Sequence, residues 1–250
     1  MSSAGASNDE SYEPRFDAGG MPRGGLLPPS FPDHVRDRLE REIIELRLAP
    51  GERVTEDKLA GRMRLSRTPI REAMRLLEAR GLIVRSRGRG TYVAERITPA
   101  EASALYDLRA PIESHLAARS AELRTDEDLA DMDALQAQFA VTVEQPDSPT
   151  RFDRLVGLDS DLHWTIYRAA QSDLASIVAS YWGRLQRELY DRVYRRGDAR
   201  RFAVEHRRIV DAIRAQDAEA ARVAMREHVE SGWEAVKAAF GAAAAAAESA

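Results

Sequence analysis

The sequence contains no cysteine. This excludes a disulfide scaffold, a thiolate metal site, an iron–sulfur cluster and a cysteine nucleophile, so any metal must be held by nitrogen and oxygen. No apolar run approaches the ~18 residues that a membrane helix needs, and residues 1–30 lack the apolar stretch of a signal peptide. Both absences point to a cytoplasmic protein with no membrane partner. Lysine is also scarce. Only Lys58 and Lys237 stand among 37 basic residues, a bias of composition to which no function is attached.

The 250 residues, 44% hydrophobic and 31% charged, are ordinary for a soluble protein of one or two domains, each able to bury a core. The net charge of −4 averages two unlike regions. Residues 58–90 carry Lys58, Arg62, Arg64, Arg67, Arg71, Arg75, Arg80, Arg85, Arg87 and Arg89 against only Glu72 and Glu78. That window is therefore +8 and the remainder −12. Such asymmetry predicts a small polyanion-binding module joined to an acidic body.

Residues 1–30, rich in glycine and proline, read as a disordered tail, with Met21 an alternative start. Val35, Leu39, Ile43, Ile44 and Leu46 then form one helical stripe up to Pro50-Gly51. An extended piece, Glu52–Thr55, leads to Thr55 as the N-cap of a short helix with Glu56 and Asp57 in its first turn. Ser66 is the expected cap of a longer helix, Pro69 falls in its first turn, and Gly81 ends it. Two short extended runs, Leu82–Val84 and Thr91–Val93, flank a Gly88/Gly90 turn, as in a β-hairpin. Helix, strand, helix, helix and hairpin in that order make a winged helix-turn-helix.

From Thr98-Pro99-Ala100-Glu101, a capping box, strand signals disappear. Further helix starts at Thr125, Ser148-Pro149, Ser172 and Asp217 predict an antiparallel bundle of about six helices. The expected fold class is mainly α. The basic module spans 31–95, a linker 96–103 runs into the first bundle helix, the helical domain spans 104–240, and an Ala-rich tail covers 241–250.

In a helix-turn-helix the start of the second helix enters the major groove. Arg67 and Arg71, one turn apart and off the apolar face, suit guanine O6 and N7. Ser66, Thr68 and the helix N-terminus suit phosphate oxygens. The wing tip, with Arg85, Arg87, Gly88 and Arg89, suits an adjacent groove. A solvated arginine face is the plain alternative, which the helix-and-wing order weighs against.

In the bundle, polar groups lie on apolar stripes. Asp159 and His163 sit with Leu155, Leu158, Leu162 and Ile166; His206 sits with Phe202, Ile209, Val210 and Ile213; His228 sits with Ala221, Met225, Gly232 and Val236. A satisfied core histidine explains any one of them, whereas all four together favour one shared cause. Three nitrogens and one oxygen suit a divalent first-row ion, with zinc first and nickel or manganese also accommodated. Arg109 falls on the stripe of Leu105, Leu108, Ile112 and Leu116. There it would bind an effector carboxylate or pair with Glu113. Trp182 and Tyr181 line the cavity or pack the core; His34 and His115 receive no role.

Gly51-Glu52-Arg53-Val54, Leu59-Ala60, Leu65-Ser66-Arg67-Thr68-Pro69-Ile70-Arg71-Glu72-Ala73 and Leu76–Ile83 together resemble the GntR family of bacterial transcription regulators. The resemblance is to the FadR-type branch with a C-terminal all-helical FCD domain. It spans about residues 31–235 and implies a homodimer on a short palindromic operator. It would place Ser66, Arg67 and Arg71 on DNA, and Arg87 and Gly88 at the wing tip. Asp57 departs from the pattern, since some members have a basic DNA-contacting residue there. Asp159, His163, His206 and His228 match the metal-binding subgroup, with Leu162 for the usual aromatic and Ser172-Asp173 for the usual Gly-Asn. In that subgroup the metal floors an effector cavity and helps bind a small carboxylate, and Arg109 and Glu113 fit its Arg-x-x-x-Glu pattern. The expected function is a ligand-responsive repressor rather than an enzyme. The rivals are a helical metalloenzyme, or a regulator that senses the metal itself, built on the same three histidines and one aspartate.

Overall fold

The computed structural model describes residues 31–86, 88–188, 194 and 199–248. The expected tail at 1–30 with Met21, the wing residue Arg87 and the last two residues lie outside the described residues.

The first unit comprises α1 (Phe31–Ile44), β1 (Arg53–Val54), α2 (Glu56–Met63), α3 (Arg67–Ala79), β2 (Ile83–Ser86) and β3 (Gly90–Val93). The strands form one antiparallel sheet in the order β1-β3-β2, with Ile83 opposite Val93 and Arg53 opposite Tyr92. Val35, Leu39, Ile43, Leu59, Ile70, Ala73, Leu77, Leu82 and Val93 close its core. The apolar stripe of α1 stops one residue pair earlier than its spacing suggests. Leu46 adopts a left-handed φ of 62°, which ends the helix, and Leu48 takes the buried place. The Thr55 hydroxyl accepts from Lys58 N at 3.1 Å, which sets the start of α2. Ser66 occupies the N-cap of α3 but its side chain makes no capping bond. Gly81, at φ 66°, ends α3 in a conformation that glycine adopts freely.

The second unit holds α4 (Pro99–Leu123), α5 (Asp126–Val143), α6 (Pro149–Ala169), α7 (Leu174–Glu188), α8 (Ala199–Arg214) and α9 (Ala218–Glu248). Capping boxes Thr98/Glu101 and Thr125/Asp128 start α4 and α5. Ser148 caps α6, while Ser172 and Asp217 accept backbone N–H bonds at the starts of α7 and α9. The first bundle helix begins at Pro99, where the capping box places it, so the extended connection is residues 94–98 rather than 96–103. The Ala-rich stretch continues α9 as helix to Glu248, as expected of the residue with the highest helix propensity. Among the described residues no helix is long and apolar enough to cross a membrane.

Helix α7 joins the two units. Buried Arg187 donates to the carbonyls of Ala94 (2.9 Å) and Glu95 (2.6 Å), which satisfies the extended connection. Arg96 answers with a bidentate pair to buried Glu188 at 2.6 and 3.2 Å. A Cβ at Gly183 would stand 3.2 Å from Leu82 of the DNA-binding unit, so glycine permits this close approach. Replacing Arg187 by alanine should strand the two carbonyls and cost about 2 kcal/mol in urea unfolding.

A second contact between the units is acid on acid. Burial, then the neighbouring Asp153 of α6, raises Glu45 to about 7. A carboxyl with a folded pKa above its unfolded value of 4.5 binds extra protons in the native state. Its contribution is intact below pH 4.5 and is lost as pH rises through 7. Glu45→Gln should therefore stabilise the protein at pH 8, by on the order of 1 kcal/mol after solvent screening. It should also flatten the loss of thermal stability that the raised Glu45 predicts for wild type between pH 5 and pH 8.

Candidate metal centre and DNA interface

Three helices of the bundle bring four ligand-type side chains together. Asp159 and His163, four residues apart on α6, meet His206 of α8 and His228 of α9. One ligand atom from each lies within 4.8 Å of all the others, and all four residues are buried. His163 Nε2 stands 3.1 Å from His228 Nε2 and 3.9 Å from Asp159 Oδ1, while His206 Nε2 lies 3.2 Å from Asp159 Oδ1. His228 Nδ1 donates to Glu205 at 2.9 Å, which assigns the proton to Nδ1 and leaves the Nε2 lone pair facing inward. His163 Nδ1 meets the Tyr167 hydroxyl at 2.7 Å.

His206 tests whether these residues fit a metal. It is wholly buried and edge-on to Phe139, and neither ring nitrogen has a hydrogen bond of acceptable geometry. Each unmade bond of this kind costs about 1–3 kcal/mol. A cation at the convergence point would take one of those nitrogens together with the Asp159 carboxylate. Protonation states agree. Burial alone would raise Asp159, but His206 and His163 outweigh it and hold the carboxyl well below its usual range. Burial pushes His228 down to about 4 despite Glu205. Near neutrality the site thus offers one carboxylate and neutral His228 in the form that binds divalent ions. The residues fit a divalent metal.

Next to this cluster, Arg109 and Glu113 form a buried bidentate pair at 2.7 and 3.1 Å. Arg109 is inward, but not on the stripe read from leucine spacing, because Leu108 is 41% exposed. The inner face of α4 is Ala102, Tyr106, Arg109, Glu113, Leu116 and Ser120, turned one residue from that stripe. The guanidinium is stacked between Tyr106 (4.7 Å) and Trp182 (5.3 Å). Burial alone would raise Glu113, yet Arg109 and His163 hold it at about 2. Tyr181 donates to Glu113 at 3.3 Å, and Trp182 donates to Ser160 at 2.8 Å. A small space of about 10 Å³, room for one water-sized group, opens here, lined by Tyr106, Arg109, Asp159, Tyr194, Phe202, His228 and Gly232. The Tyr106 hydroxyl is buried beside it without a partner. His34 is exposed and His115 half-buried, both away from the cluster.

Sequence reasoning missed Glu205, Tyr167, Tyr106 and Tyr194. Tyr167 was within reach, being one turn from His163 on the same face. Glu205 points to His228 only because α8 packs against α9, which no local pattern states.

The DNA-binding unit presents an exposed face built from the start of α3 and the wing. Ser66, Arg67, Thr68 and Arg71 are exposed there, and Gly88 and Arg89 are exposed at the turn, Gly88 with φ 72°. Arg71 makes a bidentate pair with Glu56 (2.9 and 2.9 Å), and Arg67 pairs with Asp57. Asp57, the departure noted in the sequence, thus holds an arginine. Arg85 lies 3.6 Å from Glu78.

A basic winged helix-turn-helix attached to an all-helical bundle with a buried polar cavity defines a DNA-binding transcriptional regulator. Residues 32–93 match the pattern of the bacterial regulatory proteins of the gntR family, and residues 104–231 match the FCD domain. The chain belongs to the GntR family, in the group that carries a C-terminal FCD domain. It is 30% identical over 202 residues to an HTH-type transcriptional regulator from an unstable DNA locus of Streptomyces ambofaciens, covering 77% of this chain and 79% of that protein. It is 26% identical over 200 residues to the HTH-type transcriptional repressor RspR of Escherichia coli strain K12, covering 80% and 86%. Its fold is similar to that of E. coli McbR/YncC, with a TM-score of 0.68 at 21% identity, over 81% of this chain and 94% of that one. The family and these relatives are transcriptional regulators, not enzymes, and the metalloenzyme alternative falls with that.

The orphaned imidazole generates a two-part prediction. In chelator-treated protein, His206→Leu should raise urea-unfolding stability by about 1 kcal/mol, because a buried ring with no well-formed hydrogen bond is replaced by an apolar side chain. Zinc at about 100 times its dissociation constant should stabilise wild type by about 2.7 kcal/mol and leave the variant unmoved. A variant that loses stability in chelator would mean that His206 is satisfied without metal.

Proposed function

We propose that the protein is a ligand-responsive repressor. It acts as a homodimer on a short palindromic operator, and its DNA affinity is set by a small organic acid bound beside a divalent metal. Asp159, His163, His206 and His228 would hold the ion, with zinc the leading choice and nickel or manganese also accommodated. The observation that carries this reading is His206, fully buried, with Nδ1 unbonded and Nε2 in contact only with Asp159, at the point where the other three ligands converge. When bound, the ion supplies a positive centre that attracts a carboxylate. The chain's own residues complete the pocket. Glu113 already neutralises Arg109 and fixes its orientation, so Arg109 presents a set donor edge without bringing net charge. The Tyr106 hydroxyl is free to bond the ligand.

On the DNA side, Arg67 and Arg71 would read bases, Ser66 and Thr68 would bind phosphates, and Arg87, Gly88 and Arg89 would form the wing contact. The printed name of the RspR relative supports repression. Exposed Leu108 on α4 and Ile177 on α7 offer the apolar surface that a second copy would cover. Acid binding changes DNA affinity only if it favours one arrangement of head and bundle over the other. Helix α7 touches both, with Tyr181 and Trp182 against the Glu113–Arg109 pair beside the site and Arg187 and Glu188 at the connection to the DNA-binding unit.

Gel-shift titration against the organism's own intergenic DNA tests the first half. Arg67→Ala and Arg71→Ala should each lose about tenfold or more in preference for the selected site. Metal analysis of the purified protein and titration of a panel of small acids test the second half. One acid should change operator affinity by about 5–150-fold, and only in metal-loaded protein. If no acid does so while metal alone does, the ion itself is the signal.

A further inference from the structure

We infer that Glu56 is a positioning residue for base recognition, bracing Arg71 so that one defined edge of its guanidinium faces the DNA. This rests on the reading of Arg71 as a base-contacting residue. Glu56 opens α2 and Arg71 lies in the first turns of α3, fifteen residues away, yet both carboxylate oxygens are used: Oε1 accepts from Arg71 Nε and Oε2 from NH2, each at 2.9 Å. Thr55 fixes where α2 begins through its bond to Lys58 N, and that sets the place of Glu56. Arg71 in turn holds Glu56 below its ordinary pKa, so the brace stays ionised at working pH.

The geometry of the contact carries the inference. A guanidinium has five N–H donors in a rigid plane. A carboxylate on the Nε/NH2 side occupies the lateral edge and leaves the terminal edge, NH1 and NH2, unoccupied by the brace. That terminal edge is one of the two pairs of donors that can meet guanine O6 and N7 together. Both partners are half-exposed, and an ion pair so placed adds little to stability. Its consequence is instead to immobilise a long side chain before DNA arrives, so less rotamer freedom is lost on binding. A carboxylate at the edge of a phosphate-binding face also weakens attraction to any DNA, whatever its sequence. Glu56 would thus exchange affinity for discrimination. Asp57 stands in a looser version of the same relation to Arg67, through a single contact between two residues that are each about two-thirds exposed.

The test uses the full chain and a duplex pool with a randomised centre. Wild type first selects its site. Every G·C pair of that site is then exchanged in turn, and affinities are measured for wild type, Arg71→Ala, Glu56→Ala, Glu56→Gln and Glu72→Gln. Arg71→Ala should flatten discrimination at one position per half-site. Glu56→Ala should flatten the same position by at least about fivefold, leave the others unchanged, and bind random duplex as tightly as wild type or tighter. Glu56→Gln, which can accept only one of the two bonds, should fall between. Glu72→Gln removes an equal charge from α3 and should keep wild-type discrimination at every position, whatever it does to overall affinity. The inference is overturned if Glu56→Ala keeps full discrimination where Arg71→Ala loses it. Equal weakening at every position would likewise overturn it, because Glu56 would then be structural. If Arg71→Ala itself changes no position, the base-contact reading fails first and the brace fails with it.

Discussion

Three imidazoles and a carboxylate sit in the middle of a helical bundle, where each would be costly to desolvate alone. The bundle tolerates them by arranging partners in layers. Glu205 holds His228, Tyr167 holds His163, and the inward-facing atoms that remain converge within 4.8 Å. His206 is the least supported: Nε2 leans on Asp159 at 3.2 Å and Nδ1 makes no hydrogen bond. A core made this way would be completed by an ion at the convergence point, which would link stability of the domain to its ligand state.

The Arg109–Glu113 pair extends that logic toward α7. A buried ion pair is weak evidence for stability, since apolar residues of equal volume often serve as well. Its value here is orientation. The guanidinium is clamped by Glu113 and by two aromatic faces, and one of those faces, Trp182, belongs to α7. Five and six residues further along the same helix, Arg187 and Glu188 grip the connection to the DNA-binding unit. The buried pair and the head therefore share one helix about one and a half turns apart, without any long chain of intermediaries.

Much of this was legible in the sequence because helical periodicity reports burial directly. His206 announces itself between Phe202 and Ile209, and Asp159 with His163 between Leu155 and Ile166. The same method misplaced the face of α4. Leu105, Leu108, Ile112 and Leu116 keep good helical spacing, but α4 is packed by several other helices, and the face that matters is carried by Tyr106, Arg109 and Glu113. Ser66 is a cap by position and not by hydrogen bond, a distinction that composition cannot make. Contacts such as Glu56 to Arg71, Glu205 to His228 and Arg187 to Ala94 join separate elements, so only the assembled fold discloses them.

Charge shows the same division between what is local and what is assembled. The +8 window and −12 remainder describe a basic head on an acidic body, a long-range field that brings DNA to the correct end of the molecule. Within that window the field is trimmed. Arg67, Arg71 and Arg75 each stand beside a carboxylate from Asp57, Glu56 or Glu72, and Arg85 lies near Glu78. A surface selected only for affinity would have no use for acids at those places, since each reduces the counterion release that drives non-specific binding. A surface that must leave most DNA and stay on a few sites gains from them, because specificity is a difference between affinities and not their sum. If Arg67 and Arg71 read bases as proposed, the acids on α2 belong to recognition as much as the arginines do.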